Sequence, residues 1–255
     1  MNLLFTVCAR AGSKGVRNKN IRKLGDYPLL YYTMSAYDLF CRKYGSEYPA
    51  IDFALNTDSP ELVEQWRITE IPGDYIPRKN ELAGDRVGKM EVIRDTLLSM
   101  EKLHNRQYDV IMDLDVTSPI RSVRDVKGIL DLVVNDPCAD ISFSVTGARR
   151  SPWFNMVDRK ENGYYDKVVA SDFVSRQEAP VCFDMNASIY AYHREYLLNF
   201  KERPARKSLI WEMEDTGILD IDSETDYELL SVIADDLFDK KNELSEIRAH
   251  IKDLI

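Results

Sequence analysis

The sequence predicts a single α/β domain with a mostly parallel sheet and helices on both faces. Between residues 3 and 145, short apolar segments rich in β-forming residues alternate with segments of helical periodicity, which is typical of βαβ units. The chain has 255 residues, enough for one large hydrophobic core, and contains no repeat or low-complexity linker. Residues 147–185 break the alternation with many aromatic residues and no helical period. We therefore predict one domain over residues 1–255, with an insert of short strands and loops at about residues 147–185.

Local patterns place the individual elements. Apolar β-forming runs predict the strands, and amphipathic periodicity predicts the helices. Several helix starts carry capping residues: Pro60 follows Asp58 and Ser59, and Ser122 and Ser223 each precede an aspartate at the spacing of a capping box. The predicted strands are Leu3–Cys8, Ile51–Leu55, Ile68–Ile76 (weak), Tyr108–Leu114, Ala139–Val145, Ser188–His193 and Ser208–Met213. The predicted helices are Pro28–Tyr44, one beginning at Pro60, Gly88–Leu103, Val123–Val134, one from the Ser223 cap to about Leu237, and Asn242–Leu254.

Composition and charge exclude several functional classes. The net charge is −9, which argues against a nucleic-acid-binding protein. No window of about 18 apolar residues predicts a membrane span, and the first apolar run is too short for a signal peptide. The four cysteines lie far apart without a zinc-binding pair, so we expect reduced thiols and a cytoplasmic protein.

A basic loop with two glycines follows the first predicted strand. Residues 9–24 contain Gly12 and Gly15 together with six basic residues and no acidic one. Such glycines let backbone amides approach phosphate oxygens, and lysine and arginine add positive charge. The spacing fits neither the Walker A motif nor the dinucleotide-binding fingerprint. Because ligands of parallel sheets bind beyond the carboxyl ends of the strands, we predict a triphosphate site here; a solvated basic loop is the alternative.

A pair of acidic residues near the end of the chain provides candidate metal ligands. Asp220 and Asp222 are two residues apart, so both carboxylates share one face if the chain is extended. Mg²⁺ in nucleotide sites is usually held by one or two carboxylates and by substrate phosphates. The alternative is that Asp222 only stabilises the start of the following helix. Together with the basic loop, the pair predicts Mg²⁺–nucleotide chemistry.

A second pair, Asp113 and Asp115, closes the predicted central strand. In glycosyltransferases with a nucleotide-sugar donor, an Asp-x-Asp at a strand end holds the metal and the diphosphate, so a glycosyltransferase is the rival hypothesis. A purely structural role, with Asp113 bonded to loop amides, is equally compatible with the sequence. No His–carboxylate or Ser–His spacing indicates nucleophilic catalysis, so we expect no covalent intermediate.

The motifs, taken in order, resemble those of the cytidylyltransferases that activate nine-carbon acidic sugars, the CMP-sialic acid synthetase family. The similarity spans nearly the whole chain, and six motifs in the same order are specific. The matching segments are Ala9–Gly15 with Lys19–Asn20, Asn56–Asp58, Arg78 with Glu81–Ala83, Thr117–Arg121, Asn186–Tyr190 and Asp220–Asp222.

This resemblance implies a Rossmann-like fold, CTP and a nonulosonic acid as substrates, Mg²⁺ as cofactor, and a homodimer formed through the insert. It implies catalytic roles for Lys19, Asp220 and Asp222, with both aspartates as the metal ligands. The nucleotide-binding residues it implies are Arg10, Ala11, Gly12, Ser13, Lys14, Gly15, Asn20 and Arg78. The sugar-binding residues it implies are Asp115, Arg176, Gln177, Asn186 and Tyr190.

Two departures from the family pattern bear on the sugar. Asp115 stands where many members have a sugar-side glutamine, and Asp184–Ala187 replaces an Arg-Pro-Asn-Gly stretch. Both changes resemble the bacterial branch that activates legionaminic acid, so we expect a legionaminic-type substrate. The alternatives are a CMP-N-acetylneuraminate synthetase proper, the glycosyltransferase using Asp113 and Asp115, and a non-catalytic nucleotide-sensing module, which would leave the acidic pair without a role.

Overall fold

The computed structural model describes residues 1–12, 16–84, 87–200, 207–217, 220–240 and 242–255. Within these ranges the chain alternates between strands and helices, with short 3₁₀ turns at Lys19–Ile21, Gly45–Glu47 and Asn80–Leu82. The strands are β1 (Asn2–Cys8), β2 (Lys23–Leu24), β3 (Tyr27–Pro28), β4 (Ala50–Thr57), β5 (Asp74–Pro77), β6 (Val110–Leu114), β7 (Ile141–Gly147), β8 (Val157–Arg159), β9 (Tyr165–Lys167), β10 (Phe183–His193) and β11 (Ser208–Glu212). The helices are α1 (Leu29–Tyr44), α2 (Pro60–Ile68), α3 (Lys89–His104), α4 (Val123–Asn135), α5 (Arg194–Asn199), α6 (Glu224–Lys240) and α7 (Asn242–Ile251).

In the described part of the chain, seven strands form the central sheet in the order β11-β7-β10-β6-β1-β4-β5. β1 is parallel to both β4 and β6, and β11 is parallel to β7. β10 runs antiparallel to β6 and β7, with a bulge between Met185 and Tyr190. The predicted α/β class with a mostly parallel sheet is confirmed, whereas the reversal of β10 was not predicted.

Helices cover both faces of the sheet, as predicted. Alternate residues of β1 point to opposite faces: Leu3 and Phe5 enter the core shared with α1, α2, α4, α6 and α7, whereas Leu4 enters the core shared with α3 and α5. Both faces of the sheet are thereby removed from water. Because β1, β4, β5 and β6 run parallel to one another, their carboxyl ends meet along one edge of the sheet.

Side-chain caps fix several helix starts at the predicted positions. The Ser59 hydroxyl accepts from the Leu62 amide (3.3 Å) and precedes Pro60 at the start of α2. Ser122 and Asp125 form a complete capping box at α4. The Asp226 carboxylate accepts from the Ser223 amide (2.7 Å), which orders the entry to α6.

One predicted strand is wrong over most of its length. Ile68–Ile76 was expected to be extended, but Ile68 ends α2 and only Asp74–Pro77 forms β5. The left-handed Glu70 (φ 51°) breaks the chain between them. The β-branched residues there resemble a strand locally, but packing of the preceding helix overrides that propensity.

Between β7 and β10 the chain forms short strands and loops. β8 and β9 form a small antiparallel pair within this segment. Its two ends are joined, because the Ala148 amide donates to the Cys182 carbonyl (3.0 Å) and Phe183 pairs with Gly147. Among the described residues, no helix has the length and apolar character needed to cross a lipid bilayer.

Candidate active site

The basic loop leaves β1 at the carboxyl edge of the sheet and is tied to its neighbours. The Ala9 amide donates to the Asn56 carbonyl (3.1 Å), and the Ala11 amide donates to Asp58 Oδ1 (2.7 Å). Asn20 Nδ2 donates to the Arg10 carbonyl (2.9 Å), which brings the two ends of the loop together. Gly12 lies at the limit of the described part, and the predicted nucleotide-binding residues Ser13, Lys14 and Gly15 lie outside the described residues.

Arg78 stands at the end of β5 and is held by β4. Its Nε donates to Asn56 Oδ1 (3.0 Å), and one terminal nitrogen donates to the Asn56 carbonyl (3.3 Å). Burial lowers the pKa of Arg78 from its ordinary value, but a guanidinium remains protonated near neutral pH. Its charge is therefore fixed in position at the edge of the sheet.

A cavity of about 240 Å³ opens at this edge. Four basic side chains and one carboxylate contribute to its wall, so it suits an anionic ligand. Its lining is Cys8, Ala9, Arg10, Lys19, Asn20, Arg78, Leu82, Gly84, Val87, Lys89, Val92, Asp115 and Thr117. The sequence-predicted residues Arg10, Lys19, Asn20, Arg78 and Asp115 are thus brought to one cavity.

The acidic pair near the end of the chain reaches the same edge. The Ile221 amide donates to the Thr117 carbonyl (3.0 Å), which docks the segment beside the loop after β6. Lys19 Nζ lies 2.9 Å from Asp222 Oδ1. The structure therefore places Asp222 in direct contact with a lysine of the basic loop.

The chemistry of the acidic pair fits a divalent cation. Burial and the neighbouring Asp222 raise the pKa of Asp220 to about 6, against an opposing effect of Lys19. The ionised form of a carboxyl group whose pKa is raised in this way is stabilised by an added positive charge. Among the described residues no group of three or more His, Cys, Asp or Glu side chains could hold a metal. Two carboxylates match an Mg²⁺ site completed by substrate phosphates and water.

The Asp-x-Asp at the end of β6 is neutralised by a lysine that sequence reasoning missed. Lys89 Nζ lies 2.8 Å from Asp113 Oδ2 and 2.5 Å from Asp115 Oδ2. Burial alone would lower the pKa of Lys89, but the two carboxylates outweigh it and raise that pKa. Burial alone would raise the pKa of Asp115, but Lys89 and Thr117 outweigh it and lower that pKa. Lys89 and Asp115 are therefore both ionised near neutral pH.

A signal for Lys89 exists in the sequence. It is the first residue of α3, where a positive charge opposes the helix dipole. A lysine at such a position needs another reason, and the two carboxylates supply it.

The loop after β6 is organised by a buried arginine. Arg121 is completely buried and donates to the carbonyl groups of Asp115 and Ser118. Burial lowers the pKa of Arg121 to about 10, so it stays charged near neutral pH. It fixes the backbone that carries Asp115 to the cavity.

The predicted sugar-side residues divide among three locations. Asn186, only 5% exposed, shares the lining of a small cavity of about 20 Å³ with Asp220. Arg176 and Gln177 line a separate cavity of about 290 Å³ in the insert, and Arg176 donates to the Ala148 carbonyl. Tyr190 packs in the apolar cluster beside Tyr192. Of these residues, Asp115 lines the 240 Å³ cavity, whereas Asn186, Arg176, Gln177 and Tyr190 do not.

The basic loop, the acidic pair and the strand order define a nucleotidyltransferase-type α/β domain. The chain belongs to the cytidylyltransferase family, since the family described as "Cytidylyltransferase" matches residues 4–248. It is therefore an enzyme of the CTP-dependent nucleotidyltransferase class.

Individual relatives agree with this assignment. The chain is 35% identical over 234 residues to CMP-N,N'-diacetyllegionaminic acid synthase of Campylobacter jejuni, covering 91% of this chain and 94% of the relative. It is 33% identical over 232 residues to post-translational flagellin modification protein B of Campylobacter coli, with the same coverage of 91% and 94%. The fold is similar to that of CMP:2-keto-3-deoxy-manno-octonic acid synthetase in complex with CTP (TM-score 0.64, 16% identity, 92% of this chain and 99% of that one).

Proposed function

We propose that this cytidylyltransferase joins CMP from CTP to the anomeric hydroxyl of a nine-carbon acidic sugar and releases pyrophosphate. The observation that carries the proposal is the contact between Lys19 and Asp222 (2.9 Å) beside the basic cavity. It joins the basic loop to the acidic pair at one sheet edge, as a phosphate-binding loop and a metal pair would require. The chemistry then requires positioning of the two substrates and neutralisation of phosphate charge.

The roles proposed for the nucleotide-binding residues are those that the family resemblance implies. Arg10, Lys19 and the loop residues Ser13 and Lys14 hold the triphosphate, and Asn20 and Arg78 face the nucleoside. Asp220 and Asp222 would hold Mg²⁺, which would supply charge neutralisation at the phosphates and at the leaving pyrophosphate. Lys19 contacts both halves of the site, because it lines the cavity and pairs with Asp222.

We further propose a legionaminic-type acid as the sugar. Support comes from the relative named CMP-N,N'-diacetyllegionaminic acid synthase, at 35% identity. Asp115 adds a fixed acceptor at the cavity wall in place of the glutamine common in the sialic acid branch. We assign five residues to the sugar side: Asp115, Asn186, Arg176, Gln177 and Tyr190. Arg176 and Gln177 belong to the insert, and Tyr190 belongs to the neighbouring apolar core.

The glycosyltransferase hypothesis is disfavoured by one contact. Its metal would be bound by Asp113 and Asp115, but Lys89 bridges these carboxylates at 2.8 and 2.5 Å. A cation already occupies the position between them.

A homodimer formed through the insert is part of the proposal. Val174, Val181 and Tyr164 are 82%, 81% and 77% exposed, and apolar side chains clustered in one segment are typical of an interface. The double variant Val174→Asp and Val181→Asp should shift the mass measured by light scattering to that of a monomer. An unchanged dimer mass would place the interface elsewhere. A cytoplasmic location is supported by the four free cysteines.

Pyrophosphate release tests the activity. The wild-type protein with CTP and Mg²⁺ should release pyrophosphate only when a nonulosonic acid is added, fastest with legionaminic-type acids; no release with any acid would refute the proposal. Equal rates with N-acetylneuraminic acid would refute the choice of sugar branch.

Substitutions test the metal assignment. Asp222→Asn should raise the Mg²⁺ concentration needed for half-maximal activity, whereas Asp113→Asn should leave it unchanged. Asp239→Asn is the matched control, since this carboxylate on α6 is exposed and lies 3.6 Å from Arg248. The reverse pattern would support the glycosyltransferase-type metal site.

A further inference from the structure

The Asp-x-Asp at the end of β6, Asp113 and Asp115, has the composition of a metal site. A lysine ammonium group, that of Lys89, lies between its two carboxylates. Asp113 is completely buried, and its Oδ1 accepts a hydrogen bond from the Thr6 hydroxyl (2.8 Å). Its second oxygen faces Lys89 Nζ at 2.8 Å. One carboxylate oxygen is thus held by the sheet and the other by the lysine, so the group cannot turn.

Asp115 is fixed in the same manner on the opposite side of the ammonium group. Its Oδ1 accepts from the Thr117 amide (3.0 Å) and from the Thr117 hydroxyl (2.9 Å), and its Oδ2 accepts from Lys89 (2.5 Å). An ionised carboxylate has about four acceptor positions. The contacts among the described residues use three, and the side chain is 22% exposed at the cavity wall. One acceptor position is therefore left for a ligand in the cavity.

Lys89 itself also lines the cavity. An ammonium group has three N–H donors, and two are directed to Asp113 and Asp115. Because this lysine begins α3, against the helix dipole, its position is explained by the carboxylates and not by the helix.

We propose that Lys89 is a positioning residue for the sugar substrate: it takes the place of a metal ion between Asp113 and Asp115 and fixes Asp115 as an acceptor for one hydroxyl or amide N–H of the sugar. The role at the sugar rests on the proposed function; the replacement of the metal does not. Without Lys89, the carboxylates of Asp113 and Asp115 would face one another without the ammonium group that lies between them. Such a pair either binds a divalent cation or moves apart, because the two negative charges repel each other.

Metal counting tests the first half of the proposal without any turnover. Free Mn²⁺, measured by electron paramagnetic resonance, gives the number of ions bound per chain. Lys89→Met should bind one more Mn²⁺ than the wild type, and the double variant Lys89→Met with Asp115→Asn should lose that extra ion. An unchanged count in Lys89→Met would overturn the proposal. Lys43→Met, which removes a surface ion pair to Glu246 (2.7 Å), is the control and should not change the count.

Steady-state kinetics test the second half. Losing a hydrogen bond that involves charged groups changes affinity by roughly tenfold to a hundredfold. Lys89→Met should therefore raise the KM for the sugar by at least about tenfold more than the KM for CTP, and Lys89→Arg should recover part of the loss. A KM for CTP that rises as much as that for the sugar would overturn the positioning role.

Two further readouts separate the causes of failure. Circular dichroism must show the wild-type spectrum for Lys89→Met; if it does not, Lys89→Arg decides, since the proposal requires that its Mn²⁺ count stay at the wild-type value. If no nonulosonic acid is turned over by the wild type, the proposed function fails, while the Mn²⁺ count still decides whether Lys89 replaces a metal.

Discussion

Replacing Ser144 by alanine should destabilise the protein more than replacing Ser142, although both residues are buried serines of β7. The Ser144 hydroxyl donates to Asn186 Oδ1 (2.5 Å) and accepts from the Ile189 amide (3.0 Å). Ile189 lies in the bulged part of β10, where regular pairing with β7 is interrupted. The hydroxyl therefore replaces a missing backbone partner.

The magnitude follows from what each alanine leaves behind. In Ser144→Ala, the buried Ile189 amide loses its acceptor, at a cost of about 1–3 kcal/mol, and the bond to Asn186 adds about 1 kcal/mol. The Ser142 hydroxyl only donates to the Ile129 carbonyl (2.7 Å), which lies within α4. Removing this hydroxyl leaves no buried N–H group without an acceptor and should cost about 1 kcal/mol. We expect Ser144→Ala to lose about 2–4 kcal/mol in total.

Urea unfolding followed by circular dichroism measures both variants under one set of conditions. For a chain of this size each 1 kcal/mol corresponds to a shift of about 2–4 °C in Tm, so a thermal scan gives an independent comparison. Because Ser144 also anchors Asn186, Ser144→Ala should raise the KM for the sugar while Ser142→Ala does not. Equal losses of stability in the two variants would refute the reasoning.

Three further predictions concern packing, acid stability and thiol chemistry. Gly128→Ala should cost about 1–3 kcal/mol in thermal unfolding, because a Cβ there would lie 2.6 Å from the Trp211 ring. Since the pKa of Asp115 is lowered on folding, its contribution to stability is present above about pH 4, its unfolded pKa, and is lost as pH falls; Asp115→Asn should therefore unfold with a smaller pH dependence in acid. Burial raises the pKa of Cys8 to about 12, so iodoacetamide at about pH 8 should label the exposed Cys138 first, as peptide mass spectrometry would show.

Each of these has a matched control. Gly45→Ala places a Cβ 3.9 Å from the Ile51 Cδ1 atom and should cost much less than Gly128→Ala; similar costs would contradict the packing argument. Asp136→Asn, at an exposed site, should keep the wild-type acid dependence. Labelling of Cys8 as fast as Cys138 would show that its thiol is not protected by burial.

The fold was largely predictable because its determinants are local. The first strand is an unbroken apolar run, and α4 begins with a capping box that needs only Ser122 and Asp125. The prediction of a strand at Ile68–Ile76 was wrong for the same reason. The β-branched residues there are compatible with the end of α2 as well as with a strand. Ile68 is 50% exposed at that helix end, which no local pattern shows.

The direction of β10 could not be predicted from its residues. A strand buried on both faces has the same composition whichever way it runs. Its direction follows from the path of the insert, whose ends meet at Gly147 and Phe183.

The candidate site was predictable where opposite charges complement each other. The basic loop and the acidic pair were expected to meet, and Lys19 does contact Asp222. Lys89 was missed because its partners Asp113 and Asp115 are far from it in the chain and are brought next to it only by the sheet. The separation of Arg176 from the 240 Å³ cavity likewise depends on the fold of the insert.

The reversed strand makes the insert the tip of a long hairpin whose arms are β7 and β10. The arms hold each other in register through Phe183 and Gly147, whatever the tip contains. Residues beyond that clamp can change in number and kind without moving the seven-stranded sheet. The same hairpin carries Asn186 on one arm and Ser144 on the other. Changes confined to the insert therefore leave the contact between these two arms in place.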